Sequence, residues 1–553
     1  MRTDIALLHP PSYLYFREEK RKFGPISDVI PSTPIFDMYP YGFFSLATYL
    51  NKKGYRVDLY NVAARMVLDE SFDVNRFVEK LDADVVGIDL HWLVHAHGAL
   101  ELAKKIKQER PDITIMLGGL SSTIFHREIM EKFPWVDIIA LGDTTEPVVD
   151  MLLDHRSRGK SLESVPNIAY REGKNIKVNS FSYVPKDISD YSIDYHKIFS
   201  SLFHASEPFG WIPFANFIEH PIGAILLYKG CRYNCLACGG SSYTYRKYFG
   251  RRELAFKSND AILKELSSIV DHIKIPVFLV GDIQLLGRER AEDLIRKIKS
   301  EGLQFYGLFM EFYTPPPLDL IEKLTSLDTE VYFQISPESH IEEVRRFYGR
   351  LYGNDRLKDF VKGSIKLGAK RVDLYFMVGL AKQKLEHMET FSNFIRDIYR
   401  EVPENERKRI DFFISPLAPF VDPGSLAFDF PEKFGYRIRA RTLAEHVELI
   451  KNSLDWREML NYETEFMNRE NIAQATYIGA KALTIMKKEQ GILEEDEAEK
   501  ILLRLNQSYS EDIRGKETTD LRDLYPSEPL YNLIDEKRSE VLIMAIKKSL
   551  GLE

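Results

Sequence analysis

Cysteine is nearly missing from this chain: three occur in 553 residues, Cys231, Cys235 and Cys238, all on one short stretch. An odd number cannot pair completely within the chain, and such close spacing is not that of a secreted disulfide scaffold, so a reducing, cytoplasmic setting is expected. Long apolar runs are missing too. No segment approaches the ~18 to 20 apolar residues that span a bilayer, and no apolar stretch with a cleavage site follows Met1, so no transmembrane segment is expected. There is no basic excess: a net charge of -8 and a pI near 6.0 argue against nucleic acid as a partner. Repeats of about 20 to 50 residues and low-complexity tracts are absent as well. What the chain does have is apolar material, 44% of its residues, enough for two or three cores.

That material is arranged as two series of strand-then-helix units. From Thr3 to about Leu153, the runs IALL, RVDLY, DVVGIDL, ITIMLGG and VDIIALG alternate with helix-period segments such as YGFFSLATYLNKKG and ALELAKKIKQE, which predicts a parallel sheet covered on both faces. Such doubly wound, Rossmann-like sheets bind ligands beyond the carboxyl ends of their strands. The rim then comprises DLHWLVHAHG, GGLSST and GDTTEP. NIAYREGKNIKV predicts a hairpin turning at Gly173-Lys174, and with the aromatic-rich stretch to His220 it reads as a linker over 161–220. A second series, 221–425, contains AILLYKG, PVFLVGD, LQFYGLFMEFY, EVYFQIS, RVDLYFMVGL and RIDFFISPL. Six units fall short of a closed eight-stranded barrel, yet the chemistry is again expected at the C-terminal strand ends. Beyond it, 426–553 reads as a helical region, with Ile478, Ala482, Ile485 and Met486 at helical spacing.

The three cysteines follow the first strand of the second series in LLYKGCRYNCLACGG, spaced C-x3-C-x2-C. Soft thiolates select zinc or iron-sulfur clusters. Structural zinc wants four protein ligands, and no fourth cysteine exists; His220 and His272 are the nearest histidines and are poorly placed. A 4Fe-4S cluster held by three cysteines keeps one iron open for chemistry. Ordinary buried cysteines have no reason to cluster at a strand end.

This spacing, at this strand end, resembles the radical SAM superfamily. The resemblance implies that the open iron chelates S-adenosylmethionine, whose reductive cleavage yields a 5'-deoxyadenosyl radical. Position by position it implies cofactor contacts at Ala237, where the superfamily often has an aromatic residue; at Gly281 and Asp282, in place of a Gly-Gly-Glu-like string; at Ser336 and Glu338 in ISPES; and at Val378 and Gly379 in FMVGLAKQ. Ser336 and Glu338 are equally suited to helix capping and Gly379 to a turn, and capping is the lesser alternative for Asp282. The basic string YRKYFGRR reads as a solvated helix face, or as a carboxylate-binding or reductase-docking patch with Arg246 its foremost member.

A doubly wound domain over 1–160 before such a barrel resembles the cobalamin-binding radical SAM family, through HPPS, PYGFFSLATYL, VVGIDL, GGLSST and VDIIALGDTTEP. The resemblance implies corrin or nucleotide-tail contacts at Asp89, His91, Gly118, Gly119, Ser121, Ser122, Thr123 and Gly142, although the glycines equally suit a tight strand-to-helix turn. The D-x-H-x-x-G motif that supplies a cobalt-ligating histidine is absent. His91, His95 and His97 form H-x3-H-x-H, readable as a zinc site, as corrin contacts or as residues at a helix entry.

The expectation is a cobalamin-dependent radical SAM enzyme that methylates an unactivated carbon of a small-molecule or lipid substrate, with electrons from an external reductant such as flavodoxin or ferredoxin. Cyclisation, rearrangement or carbon-carbon bond formation, with or without cobalamin, is the rival enzymatic reading. A non-catalytic iron-sulfur or zinc protein is the rival from another class. No residue is singled out as catalytic.

Overall fold

The computed structural model describes residues 2–25, 32–198, 208–217, 219–271, 275–417, 420–510 and 519. In the first series, β1 (Thr3–His9), β2 (Val57–Asn61), β3 (Ala83–Asp89), β4 (Thr114–Gly118) and β5 (Ile138–Ala140) pair in parallel, in the order β2-β1-β3-β4-β5. The order reverses between β1 and β3, so the ligand crevice of a doubly wound sheet falls at the ends of those two strands. Apolar residues spaced three or four apart bring the helices onto the sheet: Phe43, Leu46, Ala47 and Leu50 on Gly42–Lys52, and Ala99, Leu102, Ala103 and Ile106 on Ala96–Glu109.

The hairpin β6 (Ile168–Glu172) and β7 (Asn175–Val178) turns at Gly173-Lys174, but it is not part of a linker. Its β6 pairs antiparallel with β5 and extends the first sheet to seven strands. An isolated hairpin is marginal in water, and here Ile168, Ala169 and Tyr170 gain a buried face by joining the sheet.

The second series opens with β8 (Gly223–Leu226), followed by the short antiparallel pair β9 (Tyr228–Lys229) and β10 (Ala255–Phe256). It continues through β11 (Val277–Val280), β12 (Leu308–Phe312), β13 (Val331–Glu338), β14 (Arg371–Val378) and β15 (Ile410–Pro416). With β8 these form a six-stranded parallel sheet in the order β15-β14-β13-β12-β11-β8. LQFYGLFMEFY is strand only from Leu308 onward.

The C-terminal region is helical with one addition. β16 (Tyr436–Ile438) and β17 (Tyr462–Thr464) form an antiparallel ribbon, and its buried Tyr436 and Tyr462 reach back to the barrel: Tyr436 Oη accepts from the Ala381 amide at 3.1 Å. The long helix Arg469–Glu489 buries Ile472, Ala475, Gly479, Ala482, Leu483 and Met486, whereas Ile485, expected on that face, is exposed. The expected helical region beyond 510 lies outside the described residues, Thr519 excepted.

Two buried ionic clusters fasten the first sheet to the second. Lys257 Nζ lies 2.6 and 2.7 Å from the two carboxylate oxygens of Glu265 and 3.1 Å from Tyr41 Oη, and Glu265 also accepts the Ile193 amide at 2.5 Å. One pair thus grips the first domain, the connecting segment and the barrel. Elsewhere, Arg251 forms a two-nitrogen ion pair with Asp143 and donates to the Pro185 carbonyl at 2.8 Å. Arg251 is therefore turned inward, unlike Arg246 and Lys247 of the same basic string, which are exposed.

Candidate functional site

The cysteine loop leaves β9 at the C-terminal end of the barrel strands. Its shape is held by the backbone: Cys238 N–H donates to Cys235 O at 3.2 Å, Leu236 N–H to Tyr348 O at 2.8 Å, and Ala427 N–H to Leu236 O at 2.9 Å. Two amides are aimed at sulfur, Tyr233 N–H at Cys231 Sγ (3.4 Å) and Gly240 N–H at Cys238 Sγ (3.3 Å). The Gly239 amide donates to Asp422 at 2.8 Å. Burial pushes all three thiols up, and the cysteines raise one another further where they approach, as Cys231 does Cys235 and Cys235 does Cys238. Metal coordination is what would make such buried thiols thiolates. Three soft donors, amides directed at their sulfurs and no fourth cysteine suit a cluster with an open metal position. Among the described residues, no three His, Cys, Asp or Glu side chains stand close enough to share a single ion. Neither the cysteines nor His91, His95 and His97 form a ready zinc site, and His272 lies outside the described residues.

Beside the loop, the strand ends present carboxylates. Asp282 follows β11 and caps the next turn, accepting the Gln284 amide at 2.9 Å, while its other oxygen accepts the Tyr313 amide at 2.9 Å. Burial raises it to about 6 against these hydrogen bonds. Glu311, in the middle of the apolar run FMEF of β12, accepts the Gly281 amide at 2.7 Å and is raised by burial to about 7. Glu338 ends β13 at φ +68, a backbone conformation that costs a non-glycine residue about 1 to 3 kcal/mol. Its Oε1 takes both Nε (3.1 Å) and a terminal nitrogen (2.8 Å) of Arg350, and its Oε2 is buried with no partner among the described residues. Burial raises Glu338, and Arg350 opposes the rise. An unsatisfied buried oxygen next to acids held partly protonated near neutral pH fits an incoming cationic group.

The other expected contacts divide. Ser336 is half-buried near this group, and Ala237 is buried in the loop. Val378 O accepts from Leu417 N–H (2.8 Å) and the Gly379 amide donates to Gln383 Oε1 (2.9 Å), so both groups already have protein partners. Glu311 and Arg350 escaped the sequence reading. A lone acid inside an apolar strand was the signal for Glu311; nothing local marks Arg350, which reaches Glu338 through the fold.

At the first sheet, the ends of β1 and β3 meet in the crevice. His9 Nδ1 lies 2.8 Å from Asp89 Oδ1. Burial opposes a charge on His9, but Asp89 beside it outweighs burial and raises it, while His9 holds Asp89 below the usual carboxylate range. Phe36 O receives His9 Nε2 and His95 Nε2, each at 2.9 Å. Two polar atoms, Asp89 Oδ2 and His95 Nδ1, are buried without a partner among the described residues. His91 packs edge-on against Trp92, which is 45% exposed, and burial lowers it to about 4, so it is a neutral imidazole.

Gly118 and Gly119 differ sharply. A Cβ on Gly118 would meet nothing within 4 Å, whereas one on Gly119, at φ +109, would stand 2.6 Å from His91 Cα. Gly119 serves the turn, and Gly118 opens a cradle. The hydroxyls of Ser121, Ser122 and Thr123 donate to the His91, Gly119 and Gly119 carbonyls, and Thr123 Oγ1 accepts the Gly142 amide at 3.0 Å. Their protons are committed to the turn. The open cradle, the exposed indole and the orphaned polar atoms fit a large planar ligand with a polar tail.

Comparison with known proteins agrees with this two-part geometry. The B12 binding domain model matches residues 29–152, and the Radical SAM superfamily model matches 225–395. An uncharacterized methyltransferase from Pyrococcus horikoshii is 22% identical over 332 residues, 59% of this chain and 67% of that protein. The hopanoid C-3 methylase of Methylococcus capsulatus is 22% identical over 48% of this chain and 47% of its own length. An anaerobic magnesium-protoporphyrin IX monomethyl ester cyclase from Cereibacter sphaeroides is 19% identical over 37% of this chain and 31% of its own. Among solved structures, the radical S-adenosylmethionine methyltransferase TsrM from Kitasatospora setae, with cobalamin and a [4Fe-4S] cluster bound, superposes with a TM-score of 0.60 at 12% identity, covering 100% of this chain and 99% of that one. The cobalamin-dependent radical enzyme OxsB, with aqua-cobalamin and S-adenosylmethionine bound, gives 0.53 at 13% identity over 99% of this chain and 80% of its own. No described helix is long and apolar enough to cross a membrane. Both domain models match in the order of the two parallel sheets, so the chain carries a B12 binding domain followed by a radical SAM domain.

Proposed function

We propose that this enzyme transfers a methyl group to an unactivated carbon of a small-molecule or lipid substrate held between its two parallel sheets. The observation that carries the reading is the pairing of a three-thiol loop, short of a fourth ligand, with an open cradle at Gly118 on the rim of a B12 binding domain. When bound, the cluster and S-adenosylmethionine supply hydrogen-abstracting radical chemistry, and cobalamin supplies the methyl group. The chain's own residues do the rest. Cys231, Cys235 and Cys238 hold the cluster. Glu311 and Asp282 take up the positive charge of the methionine amino group by charge-assisted hydrogen bonds, and the spare oxygen of Glu338 accepts a further donor. Ala237, Gly281 and Ser336 line the same volume, with Val378 and Gly379 beside the adenine through their surface rather than through their occupied backbone groups. Asp89, His91 and Gly118 face the corrin or its tail; Gly119, Ser121, Ser122, Thr123 and Gly142 shape the turn beneath it. The ion pairs at Lys257 and Arg251 fix the separation of the two reactive faces, because a displacement of about 1 Å costs on the order of a hundredfold in rate. The enzyme works in the cytoplasm with an external one-electron reductant.

The experiment is anaerobic reconstitution with iron, sulfide and hydroxocobalamin, then metal analysis and incubation with methyl-deuterated S-adenosylmethionine. About four irons and one cobalt per chain, with deuterated methyl appearing in a product, support the proposal. Similarity to a cyclase favours a second reading, ring closure without methylation; four irons with cleavage but no label transfer would select it.

A further inference from the structure

We propose that the face built from Phe347, Leu351 and Phe430, with Arg232 and Arg246 at its edge, is the docking surface for a small acidic one-electron carrier protein. The proposal rests on the cluster assigned above to Cys231, Cys235 and Cys238.

The outer side of the cysteine loop is clasped by two elements, the end of the helix Glu342–Tyr348 and the helix Leu426–Asp429, through the Leu236-to-Tyr348 and Ala427-to-Leu236 hydrogen bonds. Gly349 comes so close that a Cβ there would lie 3.2 Å from both Asn234 O and Cys235 Cα. Gly349, itself half-buried, thus lies directly against the Cys235 backbone. Electron transfer weakens steeply with distance, so a carrier gains most by docking where the ligand loop is thinnest.

Leu351 is 80% exposed, the largest value of any exposed large hydrophobic side chain among the described residues; Phe430 is 46% and Phe347 36% exposed. Phe347 packs edge-on against Phe434 and Phe430 lies beside Tyr243; Phe347 is on the first clasping helix with Leu351 three residues past its end, and Phe430 directly follows the second. Exposed apolar groups gathered at one place, rimmed by polar ones, mark interaction sites.

Charge chooses the partner. Lys382 lies over the Phe347 ring at 4.6 Å and Lys247 over Phe430 at 5.9 Å, paired with Glu343 and Asp429 respectively. Arg232, in the loop, and Arg246, one turn from Tyr243 on the helix Ser242–Tyr248, are exposed with no carboxylate partner among the described residues. Uncompensated cations beside the cluster of a chain with net charge -8 make this an attractive landing place for an anionic protein. Electron-transfer encounters need only a small interface with an apolar centre and a charged rim. In the step itself the carrier gives up one electron and the cluster accepts it; no bond forms and no proton moves.

The test uses the full reconstituted protein and reduced flavodoxin. Flavodoxin affinity is read by calorimetry, and electron transfer by anaerobic stopped-flow of flavin oxidation. Arg246→Glu and, separately, Leu351→Ser are each expected to weaken affinity and slow transfer about tenfold, and the wild-type rate is expected to fall as salt rises from about 0.05 to 0.5 M. Iron content and cluster reduction by dithionite should match wild type in both. Variants with wild-type affinity and rate, a salt-independent rate, or a wild type that takes no electrons from flavodoxin would overturn the docking surface while leaving the cluster reading intact. Absence of iron from the wild type would overturn both, and is read before any flavodoxin is added.

Discussion

Replacing Lys257 by Met is the sharpest probe of how the two sheets are held together. Lys257 and Glu265 are fully buried, and burial pushes the lysine down and the carboxyl up, each against its charged form, so their mutual attraction at 2.6 Å is what offsets the burial cost. Met fills most of the lysine's volume but leaves Glu265 with only Tyr41 Oη at 3.2 Å and the Ile193 amide. Removing one partner of a buried ion pair costs about 3 to 5 kcal/mol. Thermal unfolding at pH 7.5 should therefore begin at least about 5 °C lower than in wild type. The double variant Lys257→Met/Glu265→Leu should recover most of the loss, because it removes the stranded charge as well. In the single variant the folded pKa of Glu265 lies still further above its unfolded value near 4.5. A raised carboxyl pKa destabilises as pH climbs from the unfolded toward the folded value, so the deficit should be largest at neutral pH and fade toward pH 4.5. A single variant within about 1 kcal/mol of wild type at pH 7.5, or a double variant no better than the single, would refute the reasoning.

Other outcomes are expected at the sites themselves. Gly118→Val should fold normally, since its side chain enters open space, yet lose cobalamin on equilibrium dialysis; Gly119→Ala should instead lower the melting temperature, its Cβ falling 2.6 Å from His91 Cα. Alanine at any of Cys231, Cys235 or Cys238 should abolish iron retention without changing the far-ultraviolet circular dichroism. Glu311→Gln should make the metal-free protein more stable above pH 7 by up to about 3 kcal/mol, with the gain vanishing near pH 4.5, because a carboxyl raised to about 7 penalises the fold only where it ionises; urea titrations at both pH values measure it. The same variant should weaken S-adenosylmethionine binding to the reconstituted enzyme about tenfold or more by calorimetry.

The periodicity of the sequence announced both parallel sheets because each buried strand is a short apolar run between turn residues, a signal that needs no partner to be visible. It misplaced the hairpin at Ile168–Val178, since hairpin patterning says nothing about which sheet edge receives it. The ribbon of Tyr436 and Tyr462 was hidden for a related reason: two three-residue strands carry no period, and they exist because their tyrosines find a buried place against the barrel. Arg251 illustrates the limit for charge. In a basic string it reads as solvated, and only the approach of Asp143, 108 residues away, turns it inward.

What this chain's sequence determined alone is the chemistry that a local pattern can encode: three thiols at a spacing one loop can gather, and two sheets whose strand ends must carry the ligands. The tertiary structure alone decided which groups meet there. His9 with Asp89 and Tyr41 with Lys257 are brought together by chain crossings, 80 and 216 residues apart, while Glu338 with Arg350 and Lys257 with Glu265 meet across turns of 12 and 8 residues that the fold imposes. No spacing rule links them; packing sets their distances, and burial then opposes each charge against the pull of its partner.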